Sequence, residues 1–161
     1  MSVRIRLAER RDAREIMLIE TTRFAEPWSL GMLLEEIADV ATRRYTVAVE
    51  HGRVIGYCGI MFVLDEEVHV NTLGVSSAHE GRGVARALLS DALEAARRRG
   101  VARATLEVAV SNERAQRLYY GFGFKPVGVR KNYYEKSGED ALILWNDELA
   151  SGPPERPTLD S

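Results

Sequence analysis

Residues 68–100 read VHVNTLGVSSAHEGRGVARALLSDALEAARRRG, and three kinds of pattern follow one another in them. The run from Val68 to Val75 has the composition of a strand. From Val84 to Arg99 the apolar residues recur at helical spacing along one face, and Gly100 then ends the helix. Residues 76–83, between them, are small and polar, as in a loop. The segment therefore predicts a strand, a loop and an amphipathic helix in succession.

The loop before the long helix is suited to bind an anion. Its glycines let the main chain approach a ligand closely, and the first free N–H groups of the helix point toward that ligand. With the helix dipole they form a site suited to a diphosphate, to which Arg82 and Arg86 add charge. It is not a P-loop, because Gly-Lys-Ser/Thr is missing, and not a G-x-G-x-x-G fingerprint, because Arg86 replaces the last glycine. The alternative is that the glycines only form the turn into the helix.

The rest of the chain extends this unit into a mixed sheet covered by helices. The predicted strands are 3–7, 45–50, 54–64, 68–75, 104–110, 127–134 and 141–145, and the predicted helices are 11–22, about 30–37, 84–99 and about 112–120. We expect Asp12, Ser29 and either Ser111 or Asn112 to cap helix N-termini. Residues 1–149 are predicted to form one domain, and 150–161, rich in proline, a disordered tail.

Composition narrows the class of protein. The 161 residues are 45% hydrophobic and 29% charged, and 22 basic against 24 acidic residues give a net charge of -2, which argues against nucleic-acid binding by bulk charge. One cysteine, Cys58, excludes intramolecular disulfides and fits a reducing cytoplasm. No apolar run approaches the ~18 residues of a membrane span. These two features lead us to expect a cytoplasmic protein. The three histidines have no metal-ligand spacing, so we expect no bound metal.

Glu107 and Tyr119, which both follow the long helix in the sequence, are candidates for acid–base catalysis. Glu107 lies in a predicted strand, on the face opposite Leu106 and Val108. Desolvation among apolar neighbours raises the pKa of a carboxyl group, which suits a general base near neutral pH; the alternative is an exposed residue on an edge strand. Tyr119 ends the next helix, and its phenol can donate a proton to a departing thiolate; the alternative is a half-buried packing role.

Taken together, these pieces resemble the GNAT superfamily of N-acetyltransferases in order and spacing. The matching segments are TLGV (72–75), the glycine loop (81–86), LEV (106–108), SN (111–112) and LYYGFGF (118–124). Two more, PWS (27–29) and KNYY (131–134), resemble the RimI family, the ribosomal-protein-alanine N-acetyltransferases. The resemblance covers about residues 3–146 and implies the GNAT fold, a mixed, mostly antiparallel α/β sheet of about seven strands flanked by four helices. It also implies acetyl transfer from acetyl-CoA, in a ternary complex, to the N-terminal alanine of small-subunit ribosomal protein eighteen.

The resemblance assigns roles to residues by their position in these motifs. Glu107 is the implied base, and Tyr119 is the acid that protonates the leaving thiolate. The residues implied to bind acetyl-CoA are Leu73, Gly74 and Val75 along the pantetheine and thioester, Gly81, Arg82, Gly83, Val84, Ala85 and Arg86 around the diphosphate, and Asn112 at the CoA arm. The implied walls of the peptide channel are Trp28, Tyr133 and Tyr134, the alternative for each being core packing.

Two positions depart from the family pattern. Ala85 stands where glycine is usual, which costs little at a helix N-terminus. Glu80 stands at the usual glutamine or arginine. Because an acid beside a diphosphate is unfavourable, we expect Glu80 to point away or to bind a neighbouring residue.

Other functions fit the same motifs. The chain is alternatively a GNAT enzyme for lysine, for other protein N-termini or for a small amine, or a non-catalytic CoA-binding module. The presence of both Glu107 and Tyr119 argues against the module. An α-amine of pKa ~7.7–8.0 is roughly a tenth neutral at pH 7, whereas lysine at ~10.4 is neutral in a few molecules per ten thousand, so one glutamate is an easier match for an N-terminal amine.

Overall fold

Seven strands form one sheet in the computed structural model, which describes residues 2–24 and 26–153. In sheet order β1-β2-β3-β4-β5-β7-β6, the strands are β1 (Arg4–Leu7), β2 (Arg43–Glu50), β3 (Arg53–Val63), β4 (Glu67–Val75), β5 (Arg103–Ala109), β7 (Glu139–Asn146) and β6 (Lys125–Tyr134). The α-helices in this part of the chain are α1 (Ala13–Arg23), α2 (Leu30–Ala38), α3 (Val84–Arg98) and α4 (Glu113–Gly121). Only the β4–β5 pair is parallel among the pairs described. The predicted mixed, mostly antiparallel sheet with four helices is confirmed.

Each face of the sheet has its own core. The predicted apolar stripe of α3 packs against one face, where Leu88, Leu89 and Leu93 are fully buried. Burying one such side chain contributes about 1.5–3 kcal/mol. The helices α1 and α2 cover the other face, and there Ile16 and Leu33 pack with aromatic and aliphatic residues of β2 and β3. The site described below lies on this second face and extends through the sheet.

Caps define where the helices start. The side chain of Ser29 accepts a hydrogen bond from a first-turn N–H of α2, as predicted. The side chain of Asn112 does the same for α4, so Asn112 rather than Ser111 is the cap of that helix. Asp12 does not cap α1 with its side chain, so that prediction is wrong. Its carboxylate instead accepts two hydrogen bonds from Arg6, at 2.8 and 2.9 Å, and one from the Glu9 N–H. Asp12 therefore ties the turn before α1 to β1.

The chain after β7 begins with a short 3-10 turn, Leu149–Ser151, whose Leu149 side chain is fully buried. The tail predicted to start at residue 150 therefore begins inside this turn. Residues 154–161 lie outside the described residues, and their disorder stays a prediction. Every helix in the described chain is too short or too polar to cross a membrane.

Divergence of β4 and β5 opens the centre of the sheet. They pair only near their first residues, in the register Glu67↔Arg103, Val68↔Ala104 and His69↔Thr105. Beyond that point β4 continues against β3 and β5 against β7, which leaves a V-shaped cleft between them. Asn71 is an extra residue in β4 at this point, because Val70 and Thr72 pair with consecutive residues of β3. A bulge of this kind increases strand twist and turns β4 away from β5.

Candidate active site

The main chain of β4 forms one wall of the cleft. The N–H of Ser76 donates to the carbonyl of Ile55, which makes these two residues a hydrogen-bonded pair of the β3–β4 ladder. Such pairs alternate along an antiparallel ladder, so the N–H and C=O of Leu73 and Val75 point away from β3 into the cleft. Two of the three predicted main-chain contacts to acetyl-CoA are therefore aimed at the cleft.

Gly74 has a different part in that wall. By the same alternation its own N–H and C=O point toward β3, where it pairs with Tyr57. A Cβ at Gly74 would lie 2.7 Å from the ring of Tyr57, closer than carbon atoms approach. The packing of Tyr57 therefore leaves no room for a side chain at position 74.

The glycine loop leads into α3 with two residues in the left-handed region, Gly81 at φ +75° and Gly83 at φ +79°. Gly83 is the N-cap of α3, and the space around both glycines is open to at least 4 Å from a Cβ position. The first N–H groups of α3, from Val84, Ala85 and Arg86, have no partner within a helix. Open space beside free N–H groups at a helix N-terminus fits a bound diphosphate.

The charged residues of the loop have protein partners. Arg82 donates to Glu50, with a closest N–O distance of 2.6 Å, and the Arg86 guanidinium lies 5.9 Å from the centre of the ring of Phe122, the residue that follows α4. Glu80 pairs with Arg23 of α1 and, at 2.8 Å, with Arg114 of α4. Glu80 thus binds neighbouring residues, as expected from its departure from the family pattern.

Glu107 projects from β5 onto the face covered by α1 and α2, where its side chain is 10% exposed. One carboxylate oxygen lies 2.5 Å from Nε2 of His69, and the other lies 3.5 Å from Arg130. The hydrogen bond from His69 holds the pKa of Glu107 below its ordinary value, and the charges of His69 and Arg130 act in the same direction, against burial. The expected rise in this pKa is therefore wrong, because two cations outweigh the loss of solvent.

A row of polar side chains continues from Glu107 across β4. Nδ1 of His69 lies 2.5 Å from Oδ1 of Asn71, and the amide nitrogen of Asn71 donates to Glu36 at 3.0 Å. Tyr45 also donates to Glu36, at 2.7 Å. Sequence reasoning treated His69 as an ordinary strand residue and did not consider the others. The available signal was the alternation of His69 with the buried Val68 and Val70, which needed the β4–β5 pairing to become informative.

Tyr119 lies on the opposite face of the sheet. It is buried in the core under α3, and its ring makes an edge contact with Phe124 at 5.8 Å between centroids. Burial raises the pKa of its phenol, which is therefore protonated at neutral pH. Burial also raises the pKa of the nearby Cys58 thiol to about 12, as expected for an inert core cysteine.

The predicted channel residues lie on two segments that meet over this face. Asn132, at φ +51°, forms a bulge in β6, held by its N–H donating to Asp140 at 2.9 Å. The bulge presents Tyr133 and Tyr134, whose rings touch edge to face at 5.0 Å and whose pKa values are raised by burial and by the charge of Glu107. Arg130 links this pair to Glu107, since its guanidinium lies 3.5 Å from that carboxylate and 5.9 Å from the centre of the Tyr133 ring.

Trp28 belongs to the α1–α2 connection on the other side. Its ring packs edge-on against Tyr45, 6.3 Å between centroids, and its main-chain N–H donates to the Glu20 carboxylate at 3.2 Å. The connection meets the β6–β7 hairpin where the N–H of Lys136 donates to Glu26 at 3.3 Å. Trp28 therefore packs against the core. It contacts Tyr45, whose hydroxyl donates to Glu36 in the polar row.

No group of three or more His, Cys, Asp or Glu side chains suited to a metal ion occurs within residues 2–24 and 26–153. The features that remain are a cleft edged by free main-chain groups, an anion site at a helix N-terminus and a carboxylate at the point of divergence.

Known proteins share this arrangement. The model of the acetyltransferase (GNAT) family matches residues 13–124. The chain is 37% identical over 152 residues to N-alpha-acetyltransferase RimI of Mycobacterium tuberculosis, covering 90% of each chain. It is 34% identical over 137 residues to the [ribosomal protein bS18]-alanine N-acetyltransferase of Haemophilus ducreyi, covering 83% of this chain and 92% of that one. The crystal structure of the ribosomal-protein-S18-alanine N-acetyltransferase from Escherichia coli superposes with a TM-score of 0.82 at 27% identity, over 99% of each chain.

These matches span most of the chain, and the superposition shows the same fold. The chain belongs to the GNAT family and is an N-acetyltransferase that takes its acetyl group from acetyl-CoA.

Proposed function

We propose that this enzyme acetylates the N-terminal α-amino group of alanine in small-subunit ribosomal protein eighteen. The observation that carries the proposal is the position of Glu107, whose carboxylate lies where β4 and β5 diverge and is linked through Arg130 to Tyr133. The substrate is the one named for relatives at 33–34% identity. The proposal includes the cytoplasmic location expected from the sequence, since ribosomal proteins are made there.

The peptide enters along the face covered by α1 and α2, and acetyl-CoA enters from the α3–α4 side. An extended N-terminus passes between the α1–α2 connection, with Trp28, and the β6 bulge, with Tyr133. Its amine then meets the thioester in the cleft. Holding both reactants in line supplies much of the acceleration.

The N–H of Val75 points into the cleft and is suited to donate to the thioester oxygen as negative charge develops there. The neutral amine attacks the carbonyl carbon, and Glu107 accepts the proton that the nitrogen loses. The carbon–sulfur bond then breaks, and its electron pair goes to sulfur. Tyr119 donates a hydrogen bond to the departing thiolate from the opposite face of the sheet.

The raised pKa of Tyr119 defines what it contributes. A phenol above its ordinary pKa is a weaker acid than a thiol of pKa ~8.5. Tyr119 therefore stabilises the sulfur by donating a hydrogen bond, and the thiolate takes up its proton from water once CoA has left.

A thiol-release assay with two peptides tests the proposal. One peptide carries the N-terminal residues of the ribosomal protein, and the other has the same residues with a blocked N-terminus and an added internal lysine. We expect turnover of the first alone, lowered about 10²–10⁴-fold in Glu107→Gln. Turnover of the second alone would refute N-terminal specificity. Turnover of neither would indicate a small amine or a non-catalytic CoA binder.

A further inference from the structure

The ion pair with His69 makes Glu107 a weaker base than its proposed role requires. A carboxyl group with a pKa below 4.5 holds a proton more than a thousandfold more weakly than an α-amine of pKa ~7.7–8.0. A proton taken from the amine therefore needs a better acceptor within reach. His69 is the group in contact with the Glu107 carboxylate that can bind one near neutral pH.

The hydrogen bonds around His69 fix where its protons lie. Asn71 donates its amide N–H to the Glu36 carboxylate, which can only accept, so its oxygen faces His69. An amide oxygen also only accepts, and therefore Nδ1 of His69 carries a hydrogen. The exchangeable position is then Nε2, 2.5 Å from Glu107. A neutral His69 therefore has Nε2 free to accept a proton from Glu107, and accepting it gives an imidazolium paired with a carboxylate.

We propose that His69 is the terminal acceptor of the proton released by the attacking amine, receiving it at Nε2 through the carboxylate of Glu107. This inference rests on the proposed role of Glu107. As the nitrogen lone pair forms the bond to the thioester carbon, one proton passes from nitrogen to Glu107, and Glu107 returns to a carboxylate by passing a proton to His69. The His69 side chain is 23% exposed, so it gives the proton to water before the next turnover. Because it acts through Glu107, His69 is a positioning residue for the base.

The charges that face His69 come from several elements. The charged groups are Glu107 on β5 and Arg130 on β6, the latter next to the Tyr133 ring. Asn71 on β4 itself is the neutral partner of His69, with Glu36 on α2 and Tyr45 on β2 behind it. Burial by itself lowers the pKa of His69, and Arg130 acts with it. The hydrogen bonds to Glu107 and Asn71 outweigh both, and the pKa lies above its ordinary value of 6.5. His69 therefore binds a proton much more strongly than Glu107 does, and its proton affinity is closer to that of an α-amine.

The first test uses the pH dependence of kcat/KM. With the alanine peptide, the acid side of log kcat/KM contains the ionisations of the amine and of His69, so its slope approaches 2 in the wild type. In His69→Gln, which keeps an N–H toward Glu107, the slope falls to 1. The matched control is His51→Asn at the exposed β2–β3 turn, whose slope stays at 2. A slope that is the same in the wild type and in His69→Gln overturns the proposal.

The second test does not depend on activity or on a variant of His69 folding. The chain has 3 histidines, so their ring signals are resolvable by NMR. We expect one to titrate above pH 6.5 in the wild type and its pKa to fall by about 1–3 in Glu107→Gln, which loses the paired charge. An unchanged pKa in Glu107→Gln overturns the proposal. Absence of turnover in the wild type refutes the proposed substrate instead, and the titration still decides the role of His69.

Discussion

Replacing Gly74 by alanine tests how closely the cleft wall is packed. The added Cβ would lie 2.7 Å from Cε1 and 2.8 Å from the hydroxyl oxygen of Tyr57. Tyr57 cannot move aside, because it is fully buried and its hydroxyl donates to Glu20. The methyl group therefore displaces β4 itself, including the neighbouring residues Leu73 and Val75 that face the cleft.

Overpacking of this kind costs about 1–3 kcal/mol of the free energy of unfolding. For a chain of this size each kcal/mol corresponds to about 2–4 °C, so we expect Tm to fall by about 2–12 °C. The KM for acetyl-CoA should rise at the same time, because the displaced strand carries the main-chain groups aimed at the cleft.

Thermal unfolding followed by circular dichroism and a titration of acetyl-CoA in the thiol-release assay measure the two effects. The matched control is Gly128→Ala in β6, where a Cβ would lie at an ordinary 3.7 Å from Ile143. Alanine is favoured over glycine inside a strand by about 0.5–1 kcal/mol, so the control should be neutral or slightly stabilised. A Gly74→Ala protein with wild-type Tm and wild-type KM would refute the packing argument.

Two further predictions concern stability and reactivity. Burial raises the pKa of Asp12, but the hydrogen bonds from Arg6 and from the Glu9 N–H, together with the charges of Arg6 and Arg11, outweigh it and hold the pKa below its ordinary value. The stability from these interactions is therefore present above about pH 4 and is lost as pH falls through the lowered pKa. In urea titrations the free energy of unfolding of Asp12→Asn should be about 1–3 kcal/mol lower than that of the wild type at pH 7, and it should fall less as the pH is lowered. An equal fall with pH in the two proteins would contradict this. Cys58, with its pKa raised to about 12 and its side chain buried, should react with a thiol reagent at pH 8 only after unfolding, and rapid labelling of the folded protein would show that it is accessible.

Local patterns predicted the elements of this fold because helix and strand periodicity are local properties. The long helix, expected over 84–99, ends at Arg98, and the strand expected over 104–110 runs from Arg103 to Ala109. Ser29 precedes its helix with the side chain that a first-turn N–H needs. Asp12 has the same chemistry and was predicted wrongly, because Arg6 lies on the adjacent strand and forms hydrogen bonds with its carboxylate.

Other parts of the site depend on which strands become neighbours. His69 and Glu107 are 38 residues apart, and each looks like an ordinary polar residue within its own strand. Their contact requires the parallel β4–β5 pairing, which no local periodicity specifies. The position of Asn71 as an extra residue in β4 likewise becomes visible only against the register of β3.

The direction of the Glu107 pKa shows why a strand pattern does not determine basicity. Apolar neighbours on the same strand gave the expectation of a raised pKa, and burial does act in that direction. The two cations that reverse it, His69 and Arg130, come from strands on either side of β5 in space, one of them beyond β7. A carboxylate so paired is pre-formed and oriented at neutral pH but binds a proton weakly. Its usefulness as a base therefore depends on a partner that accepts the proton, and the residue in contact with it that titrates near neutral pH is His69.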